Sequence, residues 1–136
     1  MILLDTNVIS ELMRSEPDNS VERWFLMNEN ACCISTVTLG EIAYRIAKLE
    51  PSKRKTKLSS QLAEWRIRFA QRTLAFDSTA ALIYGDVLAH ARALGKPMGI
   101  PDAQVAAIAS ANGAQLCTRN ISDFSRVEIA LINPWV

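Results

Sequence analysis

The chain opens with the run Met1-Ile2-Leu3-Leu4-Asp5-Thr6-Asn7-Val8-Ile9. Residues 1–4 are apolar and stop abruptly at an acid, which is typical of a short buried strand that ends at the edge of a sheet. The segment 7–14 then carries apolar residues at helical spacing, which predicts a helix. A lone carboxylate at such a position is costly to bury unless it is paired or binds a metal ion. Asp5 therefore requires an explanation beyond folding.

Short apolar strands and helices alternate along the rest of the chain. Further strands are predicted at 31–35, 73–76, 115–118 and 128–132. Further helices are predicted after Pro17, after Ser35, and at 52–72, 79–94 and 101–112. On the helix after Pro17, one of Leu26 and Met27 is expected to be buried. The alternation favours one domain, residues 1–136, with a mainly parallel sheet covered by helices on both faces.

The bulk composition excludes several classes of protein. A length of 136 residues corresponds to about one domain, and 49% hydrophobic with 21% charged residues is not the composition of a disordered chain. A net charge of +1 excludes a strongly basic nucleic-acid packaging protein, so any RNA binding must come from a local patch or from metal ions. There is no signal-peptide pattern and no apolar stretch of about 20 residues, so we expect a cytoplasmic protein that does not enter a membrane.

The cysteines indicate a reducing environment and not a disulfide or zinc framework. Their number is odd, and the neighbours Cys32 and Cys33 would point to opposite faces of one strand. Together with Cys117 and His90 they match no common zinc spacing. We expect all three thiols in or near the core.

Acidic residues follow the predicted strands or open the predicted helices. These residues are Asp5, Glu41, Asp102 and Asp123. Because ligands of parallel α/β sheets bind outside the carboxyl ends of the strands, all of them can face one edge of the sheet. Each can also have a purely structural role: Asp102 after Pro101 suits a helix N-terminus, and Glu41 lies three residues beyond Thr38, the spacing of a capping box.

Carboxylates that converge on one edge repel one another and raise each other's pKa values. No lysine or arginine pattern neutralises them all, although Arg119 can pair with one. A divalent cation resolves the repulsion, and oxygen-only ligands favour Mg²⁺ or Mn²⁺ over zinc. Such a site suits phosphodiester hydrolysis, in which Glu41 or Asp123 can orient or deprotonate the attacking water.

Four motifs, in order along the chain, resemble those of PIN-domain proteins, specifically the VapC/FitB-like toxins. They are Ile2–Glu11, Thr38–Ile42, Ile100–Ala107, and Thr118-Arg119-Asn120 with Asp123-Phe124. The closing Ile132-Asn133-Pro134-Trp135 also fits. Gly40 before the second acid, where such proteins often have alanine, is a mild departure.

The resemblance implies a three-layer α/β/α fold and a Mg²⁺-dependent endoribonuclease, with Mn²⁺ able to substitute, that is the toxin of a type II toxin–antitoxin system. Asp5 and Asp102 would bind the metal directly, and Glu41 and Asp123 would complete the acidic pocket. Asn7 and Thr118 would orient water or an acid. The implied partners are an RNA substrate, a small antitoxin with a DNA-binding domain that directs a basic side chain at the acids, and a second copy of the toxin in a homodimer that assembles further with antitoxin.

Two other functions remain open from the residues alone. A non-catalytic docking module of the same fold would bind a basic partner without a metal. A phosphatase with an aspartyl nucleophile requires a second acid two residues after Asp5, where this chain has Asn7. The basic run 53–57 favours a solvated helix face, with a track for RNA phosphates as the alternative. Glu11 is also expected on a solvated face.

Overall fold

The computed structural model describes residues 1–136. Its strands are Ile2–Leu4 (β1), Cys32–Ser35 (β2), Thr73–Leu74 (β3), Gln115–Cys117 (β4) and Leu131–Ile132 (β5). Its helices are Thr6–Leu12 (α1), Asn19–Asn28 (α2), Thr36–Ala47 (α3), Lys53–Arg68 (α4), Ser78–Ala93 (α5) and Ile100–Ala111 (α6). Short 3₁₀ turns lie at Glu29–Ala31, Ala70–Arg72 and Ile121–Phe124.

All five strands pair in parallel in the order β3-β2-β1-β4-β5. The chain moves outward in one direction from β1 to β3 and in the other direction from β4 to β5, so the order reverses between β1 and β4. Leu4 pairs with Cys117 there, and the amide of Asp5 donates to the carbonyl of Cys117 at 2.9 Å. A parallel sheet opens a crevice at such a reversal, beyond the carboxyl ends of the strands.

Successive residues of a strand point to opposite faces of the sheet and pack into two separate hydrophobic cores, which confirms the α/β/α layering. Ile2 and Leu4 belong to the core under α1 to α4, whereas Leu3 belongs to the core under α5 and α6. The first core is closed by the aromatic rings of Phe25, Trp65 and Phe69, with the last two stacked at 5.1 Å between centroids. The second is packed with the small side chains of α6, which let that helix lie close to the sheet.

The cysteines lie where the sequence predicted them. All three thiols are free and buried, and Cys32 and Cys33 belong to opposite cores. Burial raises the pKa of the Cys33 thiol to about 11, so the thiol stays protonated and unreactive at neutral pH.

The structure corrects the bounds of two predicted elements and the predicted burial of one side chain. The helix predicted at 52–72 ends at Arg68, because the chain turns inward to bury Phe69 completely. The strand predicted at 128–132 pairs only over Leu131–Ile132. Leu26 and Met27 are both exposed, since Val21 and Phe25 already occupy the face of α2 that meets the core.

None of the helices combines the length and the apolar character that crossing a membrane requires.

Candidate active site

Asp5 lies at the carboxyl end of β1 and is the N-cap of α1. Its side chain is only 5% exposed, and its Oδ1 accepts a hydrogen bond from the amide of Thr6 at 2.9 Å. The hydroxyl of Thr118 donates to Oδ2 at 2.8 Å, and the side-chain amide of Asn7 donates to the same oxygen at 3.2 Å. Asn7 and Thr118, for which the resemblance implies the orientation of water or an acid, both contact this carboxylate.

Glu41 projects from the second turn of α3 and does not complete a capping box. The N-cap of α3 is Ser35, whose hydroxyl accepts from the amide of Thr38 at 3.0 Å, so Thr38 lies inside the helix. The alternative role of Glu41 in a capping box with Thr38 is therefore excluded, because the N-cap is Ser35, three residues earlier. The Glu41 carboxylate instead accepts a hydrogen bond from the hydroxyl of Thr6 at 2.7 Å.

A chain of hydroxyl groups holds Glu41 and was missed in the sequence analysis. The Oγ1 atoms of Thr6 and Thr38 lie 2.9 Å apart. Since the single hydroxyl proton of Thr6 goes to Glu41, Thr38 donates to Thr6. Both threonines are buried, where a polar group requires a partner. The only signal in the sequence was that each threonine stands close to an acid of the motifs.

Asp102 and Asp123 approach the same edge from other elements. Asp102 lies in the first turn of α6, directly after Pro101, and is half-buried. Asp123 lies in the 3₁₀ turn Ile121–Phe124 that follows β4. Its neighbour Phe124 is fully buried and anchors this turn, while Asp123 itself is exposed.

The four acids act on one another through their charges. Burial raises the pKa of Asp5 in spite of its hydrogen bonds, and the charges of Glu41 and Asp123 raise it further. Burial also raises the pKa of Asp102 to about 6, with contributions from the charges of Asp5, Asp123 and Glu41. Residues far apart in sequence therefore repel one another at the edge near β1 and β4.

No basic side chain compensates this repulsion. The two ion pairs of the chain are Arg14–Glu11 and Arg68–Glu29, and neither involves the four acids. Arg119, which the sequence allowed as a partner for one acid, makes no ion pair and lies instead over the ring of Trp135. Glu11 was wrongly expected on a solvated face: it is 8% exposed and also accepts from the amide of Asp18.

The donor set fits a hard divalent cation. It consists of carboxylate oxygens with hydroxyl and amide groups around them, and Mg²⁺ prefers such oxygen ligands. The structure contains no group of three or more His, Cys, Asp or Glu side chains arranged to hold a metal ion. Mg²⁺ usually binds one or two carboxylates directly and keeps water at its other positions, so its coordination does not require such a group.

Comparison with known proteins identifies the family. The PIN domain family model matches residues 2–130. The chain is 38% identical to VapC ribonuclease Y4jK of Sinorhizobium fredii over 137 residues, covering 99% of this chain and 98% of that protein. It is 36% identical to toxin FitB of Neisseria gonorrhoeae over 138 residues, covering 99% of both.

A solved structure agrees with these relatives in fold. A chain in the structure of FitAB bound to the IR36 DNA fragment superposes with a TM-score of 0.90 at 33% identity, covering 100% of this chain and 96% of that one. The family model and the full-length similarity lead to the same assignment. The chain belongs to the PIN-domain family, in the group that contains the VapC and FitB toxins.

Proposed function

We propose that the chain is a Mg²⁺-dependent endoribonuclease that acts in the cytoplasm as the toxin of a type II toxin–antitoxin system. The observation that carries the proposal is that none of the four acids is in an ion pair, although burial and neighbouring carboxylates raise the pKa of Asp5 and Asp102. A folded protein keeps such uncompensated charge at a cost, and a divalent cation bound against an RNA phosphate removes that cost. The relatives named as a ribonuclease and a toxin support the same function.

Each residue of the site has a distinct task in this proposal. Asp5 and Asp102 would hold the cation, because they are the two acids at which burial raises the pKa and thus disfavours an uncompensated charge. A divalent cation bound there would supply Lewis-acid chemistry, making the phosphoryl group more electrophilic and a water molecule more acidic. Glu41, aligned by Thr6, and Asp123 orient that water or accept its proton. Thr118 and Asn7 hold the carboxylate of Asp5 in place.

RNA cleavage by the purified protein tests the proposal. We expect cleavage in Mg²⁺, weaker or equal cleavage in Mn²⁺, and none in EDTA. Asp5→Asn should lose activity by a factor of at least about 100, since direct metal binding is removed while the fold is kept. Asp77→Asn is the matched control: Asp77 caps α5 through the amide of Ala80 at 2.9 Å, and asparagine caps a helix equally well.

The outcomes separate the proposed enzyme from the alternatives. Equal cleavage by wild type and Asp5→Asn would indicate a contaminating nuclease and would overturn the mechanism. Retention of partner binding without cleavage in any metal would favour a non-catalytic docking module. A phosphoryl adduct trapped on Asp5 would favour the phosphatase, although Asn7 donates a hydrogen bond to that carboxylate in place of a second acid.

We propose an antitoxin as the cognate partner and a homodimer as the state of the toxin. The FitAB complex with DNA supports a partner of this kind. The surface offers a groove of about 370 Å³ between α1, α3 and α4. Its apolar lining is Met13, Ile42, Ile46, Leu49 and Leu58, and its basic residues are Arg45, Lys48 and Arg54. An amphipathic helix with an acidic edge would complement such a groove.

A further inference from the structure

Arg119 is attached to the acidic site but does not neutralise it. It directly follows Thr118, whose hydroxyl donates to Asp5, and its own amide donates to Oδ1 of Asn7 at 3.3 Å. The guanidinium group is nonetheless in neither ion pair of the chain. Arg119 is exposed, so its guanidinium group is accessible to a ligand at the surface.

Trp135 holds the guanidinium group. The Cζ atom of Arg119 lies 5.0 Å from the centroid of the Trp135 ring, a distance at which the cation is attracted to the face of the ring. The ring is fixed in turn, because Trp135 packs against the core and its amide donates to the side chain of Asn133 at 3.0 Å. Residues 133–136 follow β5, whose pairing with β4 brings them near Thr118. The amide of Thr118 donates to the carbonyl of Ile132 at 2.8 Å.

We propose that Arg119, held by Trp135, binds a phosphate of the RNA backbone next to the scissile one and is a positioning residue for cleavage. This inference rests on the proposed ribonuclease function. A net charge of +1 supplies no general attraction for a polyanion, and a metal ion would act on the scissile phosphate alone, so a cationic side chain near the site would add a contact to a neighbouring phosphate. A guanidinium group suits a phosphate because it donates two parallel hydrogen bonds to it. Stacking of Arg119 on Trp135 already restricts the arginine side chain, so less conformational freedom is lost on binding.

Arg92 provides a matched control for the loss of one positive charge. It is exposed and lies in the last turn of α5. That helix starts after the carboxyl end of β3 and spans 16 residues, or about 24 Å, so its last turn lies towards the opposite edge of the sheet. Arg92→Gln changes the net charge as much as Arg119→Gln does, away from the acids.

The test measures binding of a short fluorescein-labelled single-stranded RNA by anisotropy, in Mg²⁺ and at several salt concentrations. The Asp5→Asn background prevents turnover. Arg119→Gln should weaken binding by about tenfold on RNAs of different sequence, as expected for the loss of a charge-assisted hydrogen bond. The slope of log K against log salt should become shallower by about 0.7, the value for one phosphate contact on a single strand. Arg119→Lys should keep the slope.

Two outcomes would overturn the inference. One is an affinity and slope for Arg119→Gln that match those of Arg92→Gln. The other is unchanged RNA binding together with weakened antitoxin binding, which would assign Arg119 to the partner. The proposed function fails separately, if the otherwise wild-type chain cleaves no RNA in Mg²⁺. In that chain, Arg119→Gln should raise KM more than it lowers kcat.

Trp135→Leu separates positioning from a merely structural role. It should weaken RNA binding while leaving the salt slope unchanged, because the charge remains but its orientation is lost. In the Arg119→Gln background the same substitution should cause no further loss of RNA affinity. An equal loss in both backgrounds would show that Trp135 acts on the fold alone and would overturn its assigned role in holding Arg119.

Discussion

Asp5 and Asp102 show how surroundings give one residue type two behaviours. Both carboxylates are desolvated, and burial is the largest cause of the raised pKa at each. At Asp5, hydrogen bonds from Thr118 and Thr6 offset part of that effect. At Asp102 only neighbouring negative charges act besides burial, and its pKa rises to about 6. Asp102 is therefore the residue at which the cost of ionising the metal-free site is most readily measured.

The metal-free protein should lose stability as the pH rises through about 6. The pKa of Asp102 is about 6 in the folded state against 3.8 for the ordinary carboxyl group, so the native protein binds more protons than the unfolded chain between these values. Protonation of Asp102 stabilises the folded protein fully below pH 3.8, and this stabilisation is lost as the pH rises through about 6. Asp102→Asn removes the ionisation, so its melting temperature should exceed that of wild type at pH 8 in EDTA.

The pH dependence of that difference is the measurement. Thermal unfolding in EDTA should show a gain for Asp102→Asn that shrinks towards pH 4, where Asp102 is protonated in wild type. Saturating Mg²⁺ at pH 8 should reduce or reverse the gain, because a ligand that binds only the folded state stabilises wild type. A gain that is the same at both pH values, or a variant that melts far below wild type, would contradict the assigned electrostatics.

At the scale of elements, α3 carries Glu41 to the site and its N-cap sets where the helix begins. Ser35 ends β2 and is fully buried, and its hydroxyl accepts a hydrogen bond from the amide of Thr38. One residue thus ends a strand, starts a helix and fixes the turn from which Glu41 projects. Thr36 and Thr38, whose hydroxyl groups also suit an N-cap, lie within the helix.

Ser35→Ala should destabilise the protein by about 1–2 kcal/mol, the usual effect of losing a side-chain N-cap. It should also lower RNA cleavage, by less than Asp5→Asn does, because fraying of the first turn disturbs Glu41. Urea unfolding gives the free energy and a cleavage assay gives the rate. Ser60→Ala, in the exposed middle of α4, is the control and should be nearly neutral. Equal stability of the two variants would show that the cap contributes nothing.

At the scale of the whole molecule, the acidic edge and the groove between α1, α3 and α4 give the surface two chemically opposite regions. A partner that inhibits the toxin can present a basic side chain to the four acids and the acidic edge of a helix to the groove. The exposed apolar side chains of Leu26, Met27, Tyr44 and Ile67 add surface that an assembly can cover.

Charge reversal in the groove tests this arrangement. Arg54→Glu should weaken binding of the purified antitoxin by at least about tenfold and mainly slow association, since charges at the rim of an interface act on encounter. Surface plasmon resonance at two salt concentrations measures both effects. Arg92→Glu, outside the groove, should leave the association rate unchanged. Identical kinetics for wild type and Arg54→Glu would remove the groove from the interface.

The sequence by itself determined the order of strands and helices, the opposite faces of Cys32 and Cys33, and the positions of the four acids. Period-two and helical spacing are local properties, and a carboxylate directly after a strand or in the first turn of a helix is visible without coordinates. The family motifs added the identity of the fold, because they occur in order along the whole chain.

Only the tertiary structure decided the contacts that act across the chain. The hydrogen bonds of Thr6 with Thr38 and Glu41 join residues 32 and 35 positions apart, and the Thr118 hydroxyl reaches Asp5 across 113. Placing Arg119 on Trp135 likewise required the pairing of β4 with β5. The direction of a hydroxyl or a guanidinium group depends on which distant partner lies within about 3 Å or stacks against it, and local pattern carries no record of that.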